Sequence, residues 1–571
     1  MKLAEAVSLA KESESCKGDP FRVFVACGFT PQHLTIYLKA HLHARLGGRR
    51  VVVEPGRYGD LLLAFTDLRH HAAFNAVAVF VEWTDLDPRL GFRTTHGWRP
   101  KRLHDIADTA KPRLEQLRRL VEDLAGRVPV YLVLPSLPLP PAFTGPTGKG
   151  DCLEFVLREH VMAFARAVSA IPRVSIVNPQ RLDSVSQFDN RFDLGAALRA
   201  DLPYSLEHAS AVCQLVALLI CPDSPKKGII TDLDDTLWRG ILGEEGVSGI
   251  SWELHRHAHG HALYQELLAS LAEIGVMLGV ATKNDPDLVT LALSRKDLVI
   301  SHDQIFPVEA GWGSKSEAIR RILQVWNVGA DSVVFVDDSP LELAEVSTAF
   351  PDVHCMRFPV DDDRALPGFL QHLRDLFGKS SVTEEDRLRL ASIRTSTVHI
   401  DRRPGQTSDE FLASIEAEIT LVYDAPNERA FELINKTNQF NLNGRRIDTA
   451  AWLAKLEEPK RFILSVSYRD KFGPLGNIAV VAGLCLEDEL LVDVWVMSCR
   501  AFSRRIEFQV LKELFERFDA KSVKLEFTAT DRNGPFQEFV EAFGSSDLSR
   551  ITKAAFVAAC PKLYAKVSVH E

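Results

Sequence analysis

The sequence predicts a multi-domain α/β protein: two doubly wound α/β blocks followed by an α+β block. Three observations predict it. Short apolar runs alternate with helical stretches over the first two thirds of the chain. A polar stretch, CPDSPKKG, and a charged one, TEEDRLRLASI, interrupt the alternation and divide the chain into residues 1–222, 223–379 and 380–571. Beyond the second interruption, apolar runs follow one another with fewer helices between them, the pattern of an antiparallel or mixed sheet.

In the first block the runs FRVFVACGF, AFNAVAVFVEW, VPVYLVLPS and RVSIVN read as buried strands, with helical stretches between them such as Lys101 to Leu124. In the second, GIITDLD, VMLGVAT and SVVFVDD read as strands of another parallel layer. The third contains strands near EITLVYD, RFILSVSYRD, IAVVAGLCL, LLVDVWVMS and SVKLEFTA. Its helices fall at ERAFELINKT, RRIEFQVLKELFERF and GPFQEFVEAFG.

The bulk properties fit large globular cores. Of 571 residues, 46% are hydrophobic and 25% charged, and three domains is the natural reading of that length. A net charge of −10 argues against an overall nucleic-acid footprint. The N-terminal stretch has no apolar core of signal-peptide length, and no uncharged apolar run is long enough to span a membrane. Nine cysteines without a CxxC pair fit reduced thiols, and the expected location is the cytoplasm.

The middle block carries the chemistry. Asp232 and Asp234 lie just past an apolar strand, where open α/β sheets bind ligands. One carboxylate can attack phosphorus while its neighbour handles the proton. Thr282 ends the next strand, and its hydroxyl can bind a phosphoryl oxygen, with Asn284 a supporting candidate two residues on. Lys315 precedes a helix, where its ammonium can stabilise transferring charge. Asp337 and Asp338 end a third strand, and carboxylates at neighbouring strand ends suit Mg²⁺. Each piece alone has a bland reading as a turn or a surface residue. The ordered set of four does not.

These pieces resemble the four motifs of the haloacid dehalogenase (HAD) superfamily. The resemblance implies Asp232 as nucleophile, Asp234 as acid/base, and Thr282 with Lys315 as phosphate-binding residues. It places Mg²⁺ on Asp232, Asp337 and the Asp234 carbonyl, with Asp338 supporting the metal. Gaps of 50 residues from Asp232 to Thr282 and 33 from Thr282 to Lys315 leave no room for a large cap domain. Capless members of the superfamily accept bulky or protein-bound substrates.

TDLDDTLWRGILGEEG, ATKNDPD, GWGSKSEAIRRI and VFVDDSP, followed by LINKTNQFNL, SYRDKFGPLG, VMSCRAFSRRIE and TDRNGPFQEFVEAFG, resemble the FkbH-like branch. That resemblance implies conversion of 1,3-bisphosphoglycerate into a glyceryl thioester on the phosphopantetheine arm of an acyl carrier protein, for polyketide-type biosynthesis. It also implies that Cys499 relays the acyl group. A helix start and the adjacent Arg500 would lower that thiol's pKa, although a packed strand-end cysteine is the plain alternative. The third block resembles the GNAT acyltransferase fold. Ser503 and Arg505 stand where that fold's coenzyme A loop expects glycines, and Arg504 and Arg505 could meet an acidic carrier or simply be solvated. Asn435, Lys436, Asn438, Gln439, Asn441 and Asp470 could position a ligand or build turns.

The first block resembles an SGNH-hydrolase-like domain. Its first strand leads into Cys27 and Gly28 with no serine, so Asp201 and His208 lack a nucleophile and a degenerate scaffold is expected. Two other readings of the whole chain stay open: a stand-alone Mg-dependent phosphatase, and a non-catalytic docking module of a biosynthetic assembly.

Overall fold

The structure, a computed structural model, describes residues 1–67, 74–95, 98, 105–145, 152–378, 408–423, 428–437, 440–471, 473–498, 501–502, 504–530, 533–544 and 549–570. The chain is multi-domain α/β. It divides into two compact units, Met1–Asp223 and Ser224–Glu571.

The first unit holds a five-stranded parallel sheet: β1 (Phe21–Cys27), β2 (Val51–Pro55), β3 (Ala76–Phe80), β4 (Val130–Val133) and β5 (Val174–Ile176), in the order β2-β1-β3-β4-β5. The unbroken apolar runs are explained by burial on both faces. Phe24 and Ala26 of β1 join one core, while Val23, Val25 and Cys27 join the other. Helix Ile106–Ala125 covers one face and begins inside the stretch expected from Lys101. Val51–Pro55 forms a strand that the run pattern did not single out.

In the second unit a parallel sheet comprises β6 (Gly228–Thr231), β7 (Met277–Thr282), β8 (Ile305–Ala310), β9 (Val333–Asp337) and β10 (His354–Arg357), ordered β10-β9-β6-β7-β8. The chain winds outward from β6 through β8, then returns to β9 on the other side of β6. The strand order reverses between β6 and β9, which is where such a sheet opens a ligand crevice at its carboxyl ends. Helix Lys315–Trp326 packs beneath, capped by Ser314, whose hydroxyl accepts the Glu317 N–H. At its far end the Trp326 indole lies against Gly228 of β6 and Gly279 of β7. A Cβ at those positions would come within 2.5 and 2.9 Å of the ring, so only glycine admits it. The indole N–H donates to the Phe306 carbonyl at 2.8 Å.

The same unit contains a mixed sheet: β11 (Glu418–Tyr423), β12 (Phe440–Asn441), β13 (Arg461–Asp470), β14 (Gly473–Cys485), β15 (Glu489–Met497), β16 (Ser522–Leu525), β17 (Arg550–Thr552) and β18 (Lys566–His570). Its order is β17-β16-β15-β14-β13-β11-β18, with β12 beside β15. β16 pairs with β15 as far as Val492 and Leu525, and β12 takes over at Val496 and Met497. The helix expected at 383–393 lies outside the described residues. Among the described residues no helix is long and apolar enough to cross a membrane.

Candidate active site

Asp232 leaves β6 and Asp337 ends the neighbouring β9, so the strand pairing itself brings the two carboxylates together. Lys315 rises between them from the start of its helix. Its Nζ donates to Asp232 Oδ1 at 2.5 Å, to the Ala281 carbonyl at 2.9 Å and to Asp337 Oδ2 at 3.1 Å. A third carboxylate, Glu342, meets the same ammonium at 3.0 Å. Lys315 is only 2% exposed and Asp337 is fully buried.

Burial and charge compete here. Burial lifts the Asp232 carboxyl against the pull of Lys315, and lifts Asp337 to about 7. Burial also works against the lysine's charge, but Asp232, Asp337 and Glu342 outweigh it and hold its pKa above the ordinary value. For Glu342, burial is outweighed by Lys315 and by Lys283, which reaches its other oxygen at 3.0 Å, and the carboxyl is held low. Asp338 is raised by burial and by nearby Asp235.

Asp234 is held differently. Its Oδ1 accepts the Trp238 indole N–H at 3.0 Å and the Leu242 N–H at 3.1 Å, and its Oδ2 accepts the Asn284 amide at 2.9 Å. The same Asn284 amide nitrogen lies 2.9 Å from Thr282 Oγ1. Asp234, Asn284 and Thr282 are therefore one connected group, with Asn284 only 3% exposed. Asp337 Oδ1 accepts the Ser339 N–H, and the Asp338 N–H donates to Thr236 Oγ1.

Oxygen atoms of Asp232, Asp337 and Glu342 lie within 4.8 Å of one another, a donor set suited to a hard divalent cation. Their three charges exceed what the two lysines supply. The Asp234 carboxylate stands outside this set, turned toward its three N–H donors. Sequence reasoning missed Glu342. The available signal was its place in the first turn of helix Pro340–Ala349, capped by Ser339 directly after the β9 acids. It also passed over Trp238, whose spacing of four from Asp234 lets the indole reach back.

Cys499, Arg500, Ser503, Asn438 and Gln439 lie outside the described residues. Asn435 and Asn441 are spent on their own loop: Asn435 bonds the Phe431 and Ile447 carbonyls and the Ile447 N–H, while Asn441 bonds the Thr437 carbonyl and two following N–H groups. Arg504 and Arg505, left open between a carrier contact and a solvated helix start, have partners within the fold. Arg504 lies 3.5 Å from Asp470 and over the Tyr468 ring, and Arg505 pairs with Asp409 at 2.6 Å while donating to the Lys562 carbonyl. In the first unit, His208 and Asp201 do not form a pair. The His208 ring nitrogens each contact a serine hydroxyl, Ser136 and Ser186, at 2.9 Å, and Asp201 pairs with Arg93. Cys27 is buried, with its thiol on the Phe29 carbonyl.

No protein-family model and no curated protein matches the chain. Its fold is similar to the crystal structure of the N-terminal part of the protein BF1531 from Bacteroides fragilis, which contains a phosphatase domain complexed with Mg. The two are 20% identical, with a TM-score of 0.54, and the likeness covers 67% of this chain and 100% of that one. That likeness is one of fold.

Proposed function

We propose that the protein is a Mg²⁺-dependent phosphatase working through an aspartyl-phosphate, coupled to glyceryl transfer onto an acyl carrier protein. One observation carries the phosphatase reading: the buried Lys315 ammonium ties two strand-end carboxylates together beside a further acid, Asp234, held independently of them. The phosphatase domain with Mg in the structurally similar protein supports the same reading.

Asp232, Asp337 and Glu342 are the side chains that would hold the ion. When bound, it supplies positive charge that offsets repulsion between the carboxylate and an anionic phosphate. Asp232 attacks phosphorus. As the O–P bond forms, the bond to the leaving alkoxide breaks, and Asp234 delivers the proton that alkoxide needs. Asp234 then takes a proton from the water that releases phosphate and regenerates Asp232. Thr282 and Lys315 orient the phosphoryl oxygens and balance their charge.

The acyl half rests on the FkbH-like motifs. The Cys499 thiolate displaces phosphate from the acyl phosphate of 1,3-bisphosphoglycerate, forming the C–S bond as the C–O bond breaks. Asp232 then removes the remaining phosphomonoester, and the glyceryl group passes by thioester exchange to the carrier's phosphopantetheine thiol. Intact-protein mass spectrometry tests this scheme. Wild type fed enzymatically generated 1,3-bisphosphoglycerate should gain a glyceryl adduct that disappears in Cys499→Ala. Asp232→Asn should accumulate the phosphoglyceryl adduct. Wild type that stays unmodified refutes the acyl half, and phosphate release that survives Asp232→Asn refutes the phosphatase half.

A further inference from the structure

The first unit has its own crevice, independent of the phosphatase chemistry. Its sheet reverses strand order between β1 and β3, and a cavity of about 420 Å³ opens at the carboxyl ends there. Gly28 follows β1, Asp60 follows β2, Glu82 follows β3 and Leu137 follows β4, and all four line it. The volume lies within the usual range for small-molecule sites.

The lining is aromatic and acidic. Phe29, Trp83, Phe92 and Phe192 contribute rings, and four carboxylates face two guanidinium groups. Two of the acids are neutralised: Asp60 by Arg113 and Asp201 by Arg93, each at 2.6 Å. A third, Glu82, is satisfied by the Tyr204 hydroxyl at 2.7 Å, the Ser136 hydroxyl at 2.8 Å and the backbone N–H groups of Ser136 and Leu137.

Asp85 is the exception. It is 8% exposed, and its Oδ2 accepts the Glu82 N–H at 2.8 Å. Among the described residues its Oδ1 meets no hydrogen-bond donor, and it points at Gly28, where a Cβ would come within 1.9 Å of it. Arg113 does not serve it: its Nε is spent on the Asp85 backbone carbonyl and its Nη2 on Asp60. Burial, helped by the charge of Glu82, outweighs the more distant charge of Arg113 and lifts the Asp85 carboxyl to about 8, the mark of a buried acid without a cation in direct contact among the described residues.

We infer that this cavity binds a small organic amine, its ammonium seated on Asp85 and its apolar body against the aromatic walls. A cation supplies the missing partner for Asp85 and is attracted by aromatic faces. An anion would confront the Glu82 and Asp85 carboxyls, and a neutral alcohol would bring no charge to favour the ionised form of Asp85.

Isothermal titration of the full-length protein at about pH 8.5, where this carboxyl ionises and the amine is still charged, tests this, with 2-phenylethylamine as probe and 2-phenylethanol as its uncharged counterpart. The amine should bind at least about tenfold more tightly than the alcohol. Asp85→Asn keeps an acceptor for the Glu82 N–H and should erase that preference. Thr94→Trp, at a partly exposed lining position, should weaken both probes by about tenfold or more while leaving Asp85 intact. Hydrogen exchange of peptides covering β1 and β3 should be no faster in either variant than in wild type, which shows that the first unit keeps its fold. Equal binding of amine and alcohol by wild type, a preference that survives Asp85→Asn, or no binding of the amine at millimolar concentration overturns the inference.

Discussion

Replacing Lys315 with methionine removes a cation shared by Asp232, Asp337 and Glu342, at 2.5, 3.1 and 3.0 Å. Methionine keeps most of the volume, so the change is one of charge. Breaking a buried ion pair by removing one partner costs about 3–5 kcal/mol, because a desolvated charge is left behind. Here Asp232 and Asp337, both almost wholly buried, are stranded, while Glu342 keeps Lys283. Part of that cost is recovered as they take up protons, which keeps the expected loss inside that range rather than at a multiple of it. Global unfolding of a multi-domain chain is not a single transition, so hydrogen exchange of peptides covering β6 and β9 is the suitable assay. In EDTA the most protected amides should exchange roughly 10²–10³-fold faster in Lys315→Met than in wild type. Added Mg²⁺ should restore protection more strongly in the variant, since the ion replaces the lost ammonium. Equal protection in EDTA would mean that the lysine does not hold the two strand ends together, and the charge argument for the site would fail.

Other perturbations separate the roles of neighbouring groups. Asp232→Asn should lower phosphate release by about 10³-fold or more with little change in strand protection, measured by coupled phosphate detection. Asn284→Ala frees Asp234 and Thr282 from each other; kcat should fall by about 10- to 100-fold with KM changed far less, and steady-state kinetics would show the split. The Asp85 carboxyl has a folded pKa near 8 against an ordinary 3.8, so it favours the fold at low pH and loses that contribution as pH rises from about 4 to 8. Asp85→Asn should therefore gain stability relative to wild type across that window, by up to about 1.4 kcal/mol per pH unit, in denaturant titrations followed at several pH values. A difference that stays flat with pH would show that this carboxyl is not desolvated.

The strands that position the clustered acids were legible because they are buried on both faces and end in acids: GIITDLD and SVVFVDD became β6 and β9. Strands whose burial is incomplete were not. β18, Lys566–His570, is exposed along its length and owes its existence to pairing with β11. β8 carries Pro307, which argues against a strand, and β10 reads HCMR. At the site, the order of motifs announced Asp232, Thr282, Lys315 and Asp337, but contacts across elements are invisible to spacing. Glu342 reaches Lys315 only because the helix after β9 turns back over it, and Asn284 joins Asp234 to Thr282 across 50 residues of chain. The ion pairs of Arg504 and Arg505 are hidden from the sequence for the same reason. Their partners, Asp470 and Asp409, are distant in sequence.

The indole of Trp326, seated on two bare strand positions, gives Lys315 a fixed reach. Anchor and amine stand at the two ends of a 12-residue helix, a rigid arm of about 16 Å. Anything that unseats the ring, such as a methyl at Gly228, must slide the whole arm and withdraw the ammonium from acids it never contacts directly. Loss of turnover would then trace to the opposite end of the sheet, with every residue of the crevice intact. The three positions 228, 279 and 326 should accordingly tolerate change only in concert, as one bearing surface.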